Sequence, residues 1–113
     1  MENKILGLHH ITAIANNAKI NHDFYTKVLG LRMVKKTVNF DDPNTYHFYY
    51  GNENGAPGTI LTFFPWEGIG KGYTGTGQAT EIGYSVPEGS LDFWANRFKE
   101  NNITIGEKSE RFG

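Results

Sequence analysis

Asp23-Phe24-Tyr25 and Asp92-Phe93-Trp94 hold the same place in two helix-forming stretches, and their recurrence decides the fold. Around the first, Ile20, Phe24, Val28 and Leu31 recur at helical spacing, with Tyr25 and Leu29 beside them. Gly30 supplies the stop, because glycine takes φ > 0 without steric cost. Around the second, Leu91, Trp94, Ala95 and Phe98 share one face, and Ser90 is placed to cap a helix over residues 91–101. Each helix follows a β-compatible stretch and a turn: residues 6–15 with Asn16-Asn17, and residues 79–86 with Pro87-Glu88-Gly89. Each leads into another such stretch, Leu31-Arg32-Met33-Val34 or Ile103-Thr104-Ile105. The offset of about 69 residues suits one small β-α-β-β-β unit and is too long for a solenoid repeat.

Working outward, residues 32–40 are rich in β-branched side chains and read as a strand. Asp41-Asp42-Pro43-Asn44 is a turn cluster, 46–50 a short aromatic strand, and 51–58 a loop with Gly51, Gly55, Gly58 and Pro57. Residues 59–64 form an apolar strand stopped by Pro65. The expected fold class is therefore α+β, with tandem βαβββ units. The first unit covers 1–67, a glycine-rich connector 68–77, and an incomplete second unit 78–113. Two strands are missing from the second unit, so the chain is expected to be the N-terminal part of a longer protein. Uncovered sheet edges lead us to expect a homo-oligomer or strand-swapped assembly.

Composition narrows the function. The 113 residues carry a net charge of −1, with eleven Lys and Arg scattered among acids. No basic stripe forms, which excludes a nucleic-acid footprint. The absence of cysteine excludes a disulfide scaffold, a thiolate zinc site and a thiol nucleophile. Met1-Glu2-Asn3-Lys4 opens no signal peptide, and no apolar run reaches membrane-spanning length, so a cytoplasmic protein is expected. Gly70-Lys71-Gly72-Tyr73-Thr74-Gly75 matches the dinucleotide fingerprint in letters only, because a strand, not a helix, is expected after it. Ser85, Ser90 and Ser109 sit in no nucleophile elbow.

The chemistry-bearing candidates lie on the first strand, in His9-His10-Ile11-Thr12. Alternation puts His10 and Thr12 on one face, and His9, Ile11 and Ala13 on the other. The apolar face is expected to bury against the helix through Phe24 and Val28, leaving His10 and Thr12 to face a cavity. A neutral imidazole there suits a divalent metal, although an isolated strand histidine is more often a plain hydrogen-bonded residue. Glu81 is the second unit's counterpart of His10, with Ile82 under Ile11 and Tyr84 under Ala13. A pseudo-twofold arrangement brings His10 and Glu81 into one cavity; an ordinary rim glutamate is the weightier alternative. His47, among aromatic neighbours, is either a support or substrate contact or simply a polar strand residue. His22 is expected to face solvent.

Leu8-His9-His10-Ile11-Thr12, Tyr46-His47-Phe48-Tyr49-Tyr50-Gly51, Gly55-Ala56-Pro57-Gly58-Thr59 and Phe63-Phe64-Pro65 together resemble the hydroquinone ring-cleaving dioxygenases of the vicinal oxygen chelate superfamily. Pro87-Glu88-Gly89-Ser90-Leu91, Trp94 and Arg111-Phe112-Gly113 extend the resemblance over nearly the whole chain. That superfamily also holds glyoxalase I, extradiol dioxygenases and bleomycin-resistance proteins. The resemblance implies a mononuclear Fe(II), or another divalent metal, held by two histidines and a glutamate. It implies His10 as the ligand in this chain, His9 and Thr12 near the substrate, and the remaining ligands in a C-terminal part beyond Gly113. The implied partners are a small aromatic substrate and dioxygen. Strand parity agrees for His10 and Thr12 and disagrees for His9, unless a twist or bulge opens the strand. Tyr46, Tyr49 and Phe63 are expected as aromatic walls. Two other functions compete: a glyoxalase-like lyase, disfavoured because residues 59–64 contain no acid, and a non-catalytic module for aromatic ligands.

Overall fold

In a computed structural model, which describes residues 2–112, the chain divides into two compact units, Met1–Lys71 and Gly72–Gly113. The first unit contains β1 (His10–Ala15), α1 (Ala18–Asp23) continued by a π-helical turn (Phe24–Val28), β2 (Arg32–Val38), β3 (Tyr46–Gly51) and β4 (Ile60–Pro65). This is the expected β-α-β-β-β order. The sheet runs β1-β4-β3-β2, with β1 parallel to β4 and the other neighbours antiparallel. Among the described residues the one parallel pair therefore joins the first and last strands of this unit, across the helical crossover.

The core is built from the two central strands. Phe48 and Tyr50 on β3, with Leu61 and Phe63 on β4, are its buried hydrophobics; Ile11, Ala13, Ala15, Tyr25, Leu31 and Met33 pack around them. Burying each such large side chain contributes about 1.5–3 kcal/mol. Tyr25 lays its ring on Tyr50 (centroids 5.2 Å apart) and on Phe63 (4.8 Å), joining helix to sheet.

The helix meets the sheet through a different stripe from the one expected. Ala18, Asn21 and Tyr25 face inward, while Ile20 is 71 % exposed. The packing attributed to Phe24 and Val28 is made by Tyr25, against whose ring Phe24 stands edge-on at 4.9 Å. Asn21 is 8 % exposed, and its Oδ1 accepts the Tyr50 hydroxyl at 2.8 Å, so the inward polar group is satisfied. Asn17 caps the helix by accepting the Ile20 N–H at 2.9 Å. At the other end the Leu29 N–H reaches back to the Phe24 carbonyl at 3.0 Å, one residue wider than an α-turn, before Gly30 (φ +72°). Strand bounds also differ: β1 starts at His10 instead of residue 6, and β2 ends at Val38 instead of residue 40. A register shift between Met33 and Lys35 keeps Met33 on the core side and Lys35 on the other.

The second unit contains α2 (Leu91–Glu100). Ser90 precedes it as expected, but its hydroxyl donates to the Pro87 carbonyl at 2.6 Å and makes no cap to the helix. The helix ends in a Schellman-type turn: Asn102 takes φ +58° and the Ile103 N–H donates to the Phe98 carbonyl at 2.8 Å. The strands expected over 79–86 and 103–105 are not formed among the described residues. A strand is defined by its ladder, and among the described residues 79–86 have no bonded neighbour of the kind β4 provides for β1 in the first unit. Residues 70–75 are followed directly by neither a helix nor the strand expected at 79–86 among the described residues.

Candidate functional site

The sheet face turned away from the helix carries a connected polar cluster. Strand parity places His10 and Thr12 there from β1, Thr62 and Phe64 from β4, His47 and Tyr49 from β3, and Lys35 and Thr37 from β2. Thr12 and Thr62 are register partners across the parallel pair, and their hydroxyl oxygens lie 2.7 Å apart in a hydrogen bond. The Thr62 oxygen also bonds His47 Nε2 at 3.0 Å, and His47 Nδ1 bonds the Tyr49 hydroxyl at 3.0 Å. The chain thus runs Tyr49–His47–Thr62–Thr12 across three strands and ends beside His10. Phe64 stacks on the His47 imidazole at a centroid distance of 4.0 Å.

Burial along the chain peaks at Thr62 and ends in solvent at Thr12. Thr62 is fully buried, His47 and Tyr49 are half-buried, and Thr12 and His10 are exposed. Burial pushes the His47 pKa below the ordinary histidine value, and the nearby His10 and Lys35 push it the same way. Both ring nitrogens bond hydroxyls and neither bonds a carboxylate, an arrangement a neutral imidazole satisfies with one nitrogen donating and the other accepting. Lys35 holds its ammonium 5.3 Å from the Tyr49 ring centroid.

His9 does not turn toward the core. The ladder begins at His10, so period-two alternation does not reach back to His9. Its backbone carbonyl accepts the Gly58 N–H at 2.8 Å, and its Nδ1 shares a hydrogen bond with His10 Nδ1 at 3.0 Å. The two rings stand edge to face, 5.2 Å apart. His9 and His10 are thereby close neighbours, with Thr12 next along the same face of β1 from His10.

Other candidates are placed elsewhere. Phe63, expected as a wall, is a core residue at 6 % exposure, and Tyr46 stacks with Phe48 on the helix side. Of the three expected walls only Tyr49 lies on the His10 face, where Phe64 joins it. Glu81 is exposed in the second unit. His22 is partly exposed, 3.5 Å from the Asp23 carboxylate. Thr62 was not singled out from sequence, although it is the one polar side chain in Ile60-Leu61-Thr62-Phe63-Phe64. A hydroxyl amid such a run needs a partner, and that need is the signal pointing to it.

No group of three or more His, Asp or Glu side chains is poised to hold a metal among the described residues. The donors fit one ligand position. His10 is exposed on the open face, and its Nδ1 is oriented by His9, the arrangement usual for a ligating histidine whose other nitrogen is fixed by a neighbour. No helix of the described residues is long and apolar enough to cross a membrane.

Comparison with known proteins places this face in context. MhqE of Bacillus subtilis, provisionally named a ring-cleaving dioxygenase, is 58 % identical over 106 residues, covering 94 % of this chain and 35 % of MhqE. The chlorohydroquinone/hydroquinone 1,2-dioxygenase of Sphingobium indicum is 41 % identical over 112 residues, covering 97 % of this chain and 35 % of that enzyme. The crystal structure of a provisionally named dioxygenase from Bacillus subtilis superposes with a TM-score of 0.93 at 54 % identity, covering 99 % of this chain and 36 % of that one. The chain spans about a third of the length of these relatives. Residues 7–113 match the model of one family, and the chain belongs to it: the Glyoxalase/Bleomycin resistance protein/Dioxygenase superfamily.

Proposed function

We propose that this chain contributes His10 to the Fe(II) site of a ring-cleaving dioxygenase acting on hydroquinone or catechol-like aromatics. The observation that carries the reading is the polar sheet face itself: His10 and Thr12 project from it side by side, opposite the helix-packed core. The Sphingobium relative, named for chlorohydroquinone and hydroquinone cleavage, supports the substrate class. The further ligands, a histidine and a glutamate, come from outside these residues; relatives about three times as long leave room for them.

His10 binds through Nε2, because its Nδ1 is engaged by His9. When bound, a ferrous ion with open positions lowers the pKa of a phenolic hydroxyl and brings substrate and dioxygen together. The chain's own residues do the rest. His9 fixes the ring plane of His10. Thr12 offers a hydroxyl to a substrate oxygen. Tyr49 and Phe64 border the same face with aromatic rings. The glyoxalase-like alternative calls for a metal carboxylate in each paired unit, and β4 presents Thr62 and Phe64 on this face and no acid.

The test uses the full-length protein loaded with ferrous ion under anaerobic conditions. Addition of oxygen and hydroquinone is expected to consume both in equal amounts as the ring opens. His10→Ala is expected to abolish iron loading and turnover. Iron retained by the purified variant at wild-type stoichiometry overturns the assignment.

A further inference from the structure

The hydrogen-bonded chain behind Thr12 is more than packing, because a neutral imidazole in its middle gives it a direction. Two arrangements satisfy every distance and also pair the proton of Thr62, which is fully buried and so cannot leave it unbonded without cost. In one, the Tyr49 hydroxyl donates to His47 Nδ1, His47 Nε2–H donates to Thr62, and Thr62 donates to Thr12, whose own proton points outward. In the other every donor is reversed, and Thr12 presents only lone pairs to the open face. A phenol is a stronger donor than acceptor, and an imidazole nitrogen is a better acceptor than a phenolic oxygen, so the Tyr49–His47 bond favours the first. Successive bonds polarise one another, so the choice made at Tyr49 carries through to Thr12. The components are held rigidly: Thr62 is fully buried, Phe64 stacks on His47, and the strand register aligns Thr12 with Thr62 and Tyr49 with Thr62.

We propose that Tyr49, His47 and Thr62 form a one-way donor relay that sets the Thr12 hydroxyl proton outward beside His10, making Thr12 a selective donor to an anionic oxygen. The ligand class it selects is a phenolate-type oxygen over a neutral ether or carbonyl oxygen at that position. Tyr49, His47 and Thr62 are positioning residues, acting on substrate only through Thr12. The proposal rests on the dioxygenase reading for the identity of the substrate, but the relay's direction is a property of this chain alone.

Long-range proton–nitrogen NMR of the 113-residue chain at neutral pH reads the direction without activity. The expected result is His47 as the Nε2–H tautomer, with Nδ1 as the unprotonated acceptor. Tyr49→Phe, which removes one oxygen and keeps the ring, is expected to admit the Nδ1–H tautomer. Finding wild-type His47 as Nδ1–H or as the imidazolium overturns the relay. In the iron-loaded full-length protein, Thr12→Val is expected to raise KM for hydroquinone about tenfold or more with iron content unchanged, the loss expected for one hydrogen bond to a charged oxygen, and Thr62→Val, which keeps the Thr12 donor and removes only its orientation, is expected to raise KM by less. An unchanged KM in a folded, iron-replete Thr62→Val protein also overturns it. If the wild-type full-length protein does not cleave hydroquinone, the dioxygenase reading fails, and the tautomer measurement still decides the relay.

Discussion

Tyr50→Phe is the sharpest probe of how the helix is held to the sheet. The Tyr50 ring is 0 % exposed, and its hydroxyl donates to Asn21 Oδ1 at 2.8 Å. Burial, with Tyr25 and Asp23 nearby, pushes the phenol pKa up to about 12, so it remains a donor at all ordinary pH values. Phenylalanine keeps the ring and opens almost no cavity, so the packing with Tyr25 and Phe63 survives. What is lost is one net hydrogen bond, and what is left is an Asn21 carbonyl oxygen shut away from water. Together these cost about 1–3 kcal/mol. For a domain of this size each kcal/mol lowers the melting temperature by about 4–8 °C. Thermal unfolding followed by near-ultraviolet circular dichroism is therefore expected to show a drop of at least about 4 °C. Combining Tyr50→Phe with Asn21→Leu removes both polar partners and is expected to cost less than the sum of the single changes. A Tyr50→Phe melting temperature within about 1 °C of wild type, or strict additivity in the double variant, refutes the buried pair as the helix anchor.

Three further outcomes follow from the same structure. Gly58 sits at φ +86°, and an added Cβ meets the Leu8 carbonyl at 3.4 Å, so Gly58→Ala is expected to destabilise by about 1–2 kcal/mol in urea titration and to loosen His9, whose carbonyl it holds. His47 has a lowered pKa in the folded chain, so below about pH 6.5 the unfolded chain takes up a proton that the folded chain resists. Stability is thus complete above that pH and falls as the pH drops toward the folded value; unfolding curves for His47→Gln are expected to be flatter across this window. Glu81→Ala in the iron-loaded protein is expected to leave iron content unchanged by metal analysis, whereas a glyoxalase-like site loses metal.

The first unit was legible because its strands alternate, its turns carry Asn, Asp, Pro and Gly, and its only helix lies between strands. The buried helix face was not, because the true stripe puts a polar Asn21 between Ala18 and Tyr25, and its partner Tyr50 is 29 residues away in sequence. Nothing local marks the π-helical turn, which shows itself only in the Leu29 to Phe24 hydrogen bond. Parity located His10 and Thr12 on the open face because both lie inside the ladder, and it misjudged His9 because His9 lies just before it. Parity also separates Phe64 from Phe63, but an apolar run conceals which face each ring takes until the cross-strand register is known. In the second unit β-compatible residues were read as strands, though a strand exists only with a neighbour to bond.

The account turns on whether a ferrous ion binds at His10 on this face. A crystal of the iron-loaded protein, with diffraction recorded on both sides of the iron absorption edge, gives the position directly. The account predicts an anomalous peak within bonding distance of His10 Nε2, with the Thr12 hydroxyl facing the same cavity. A fully occupied iron peak whose ligands exclude His10 contradicts it.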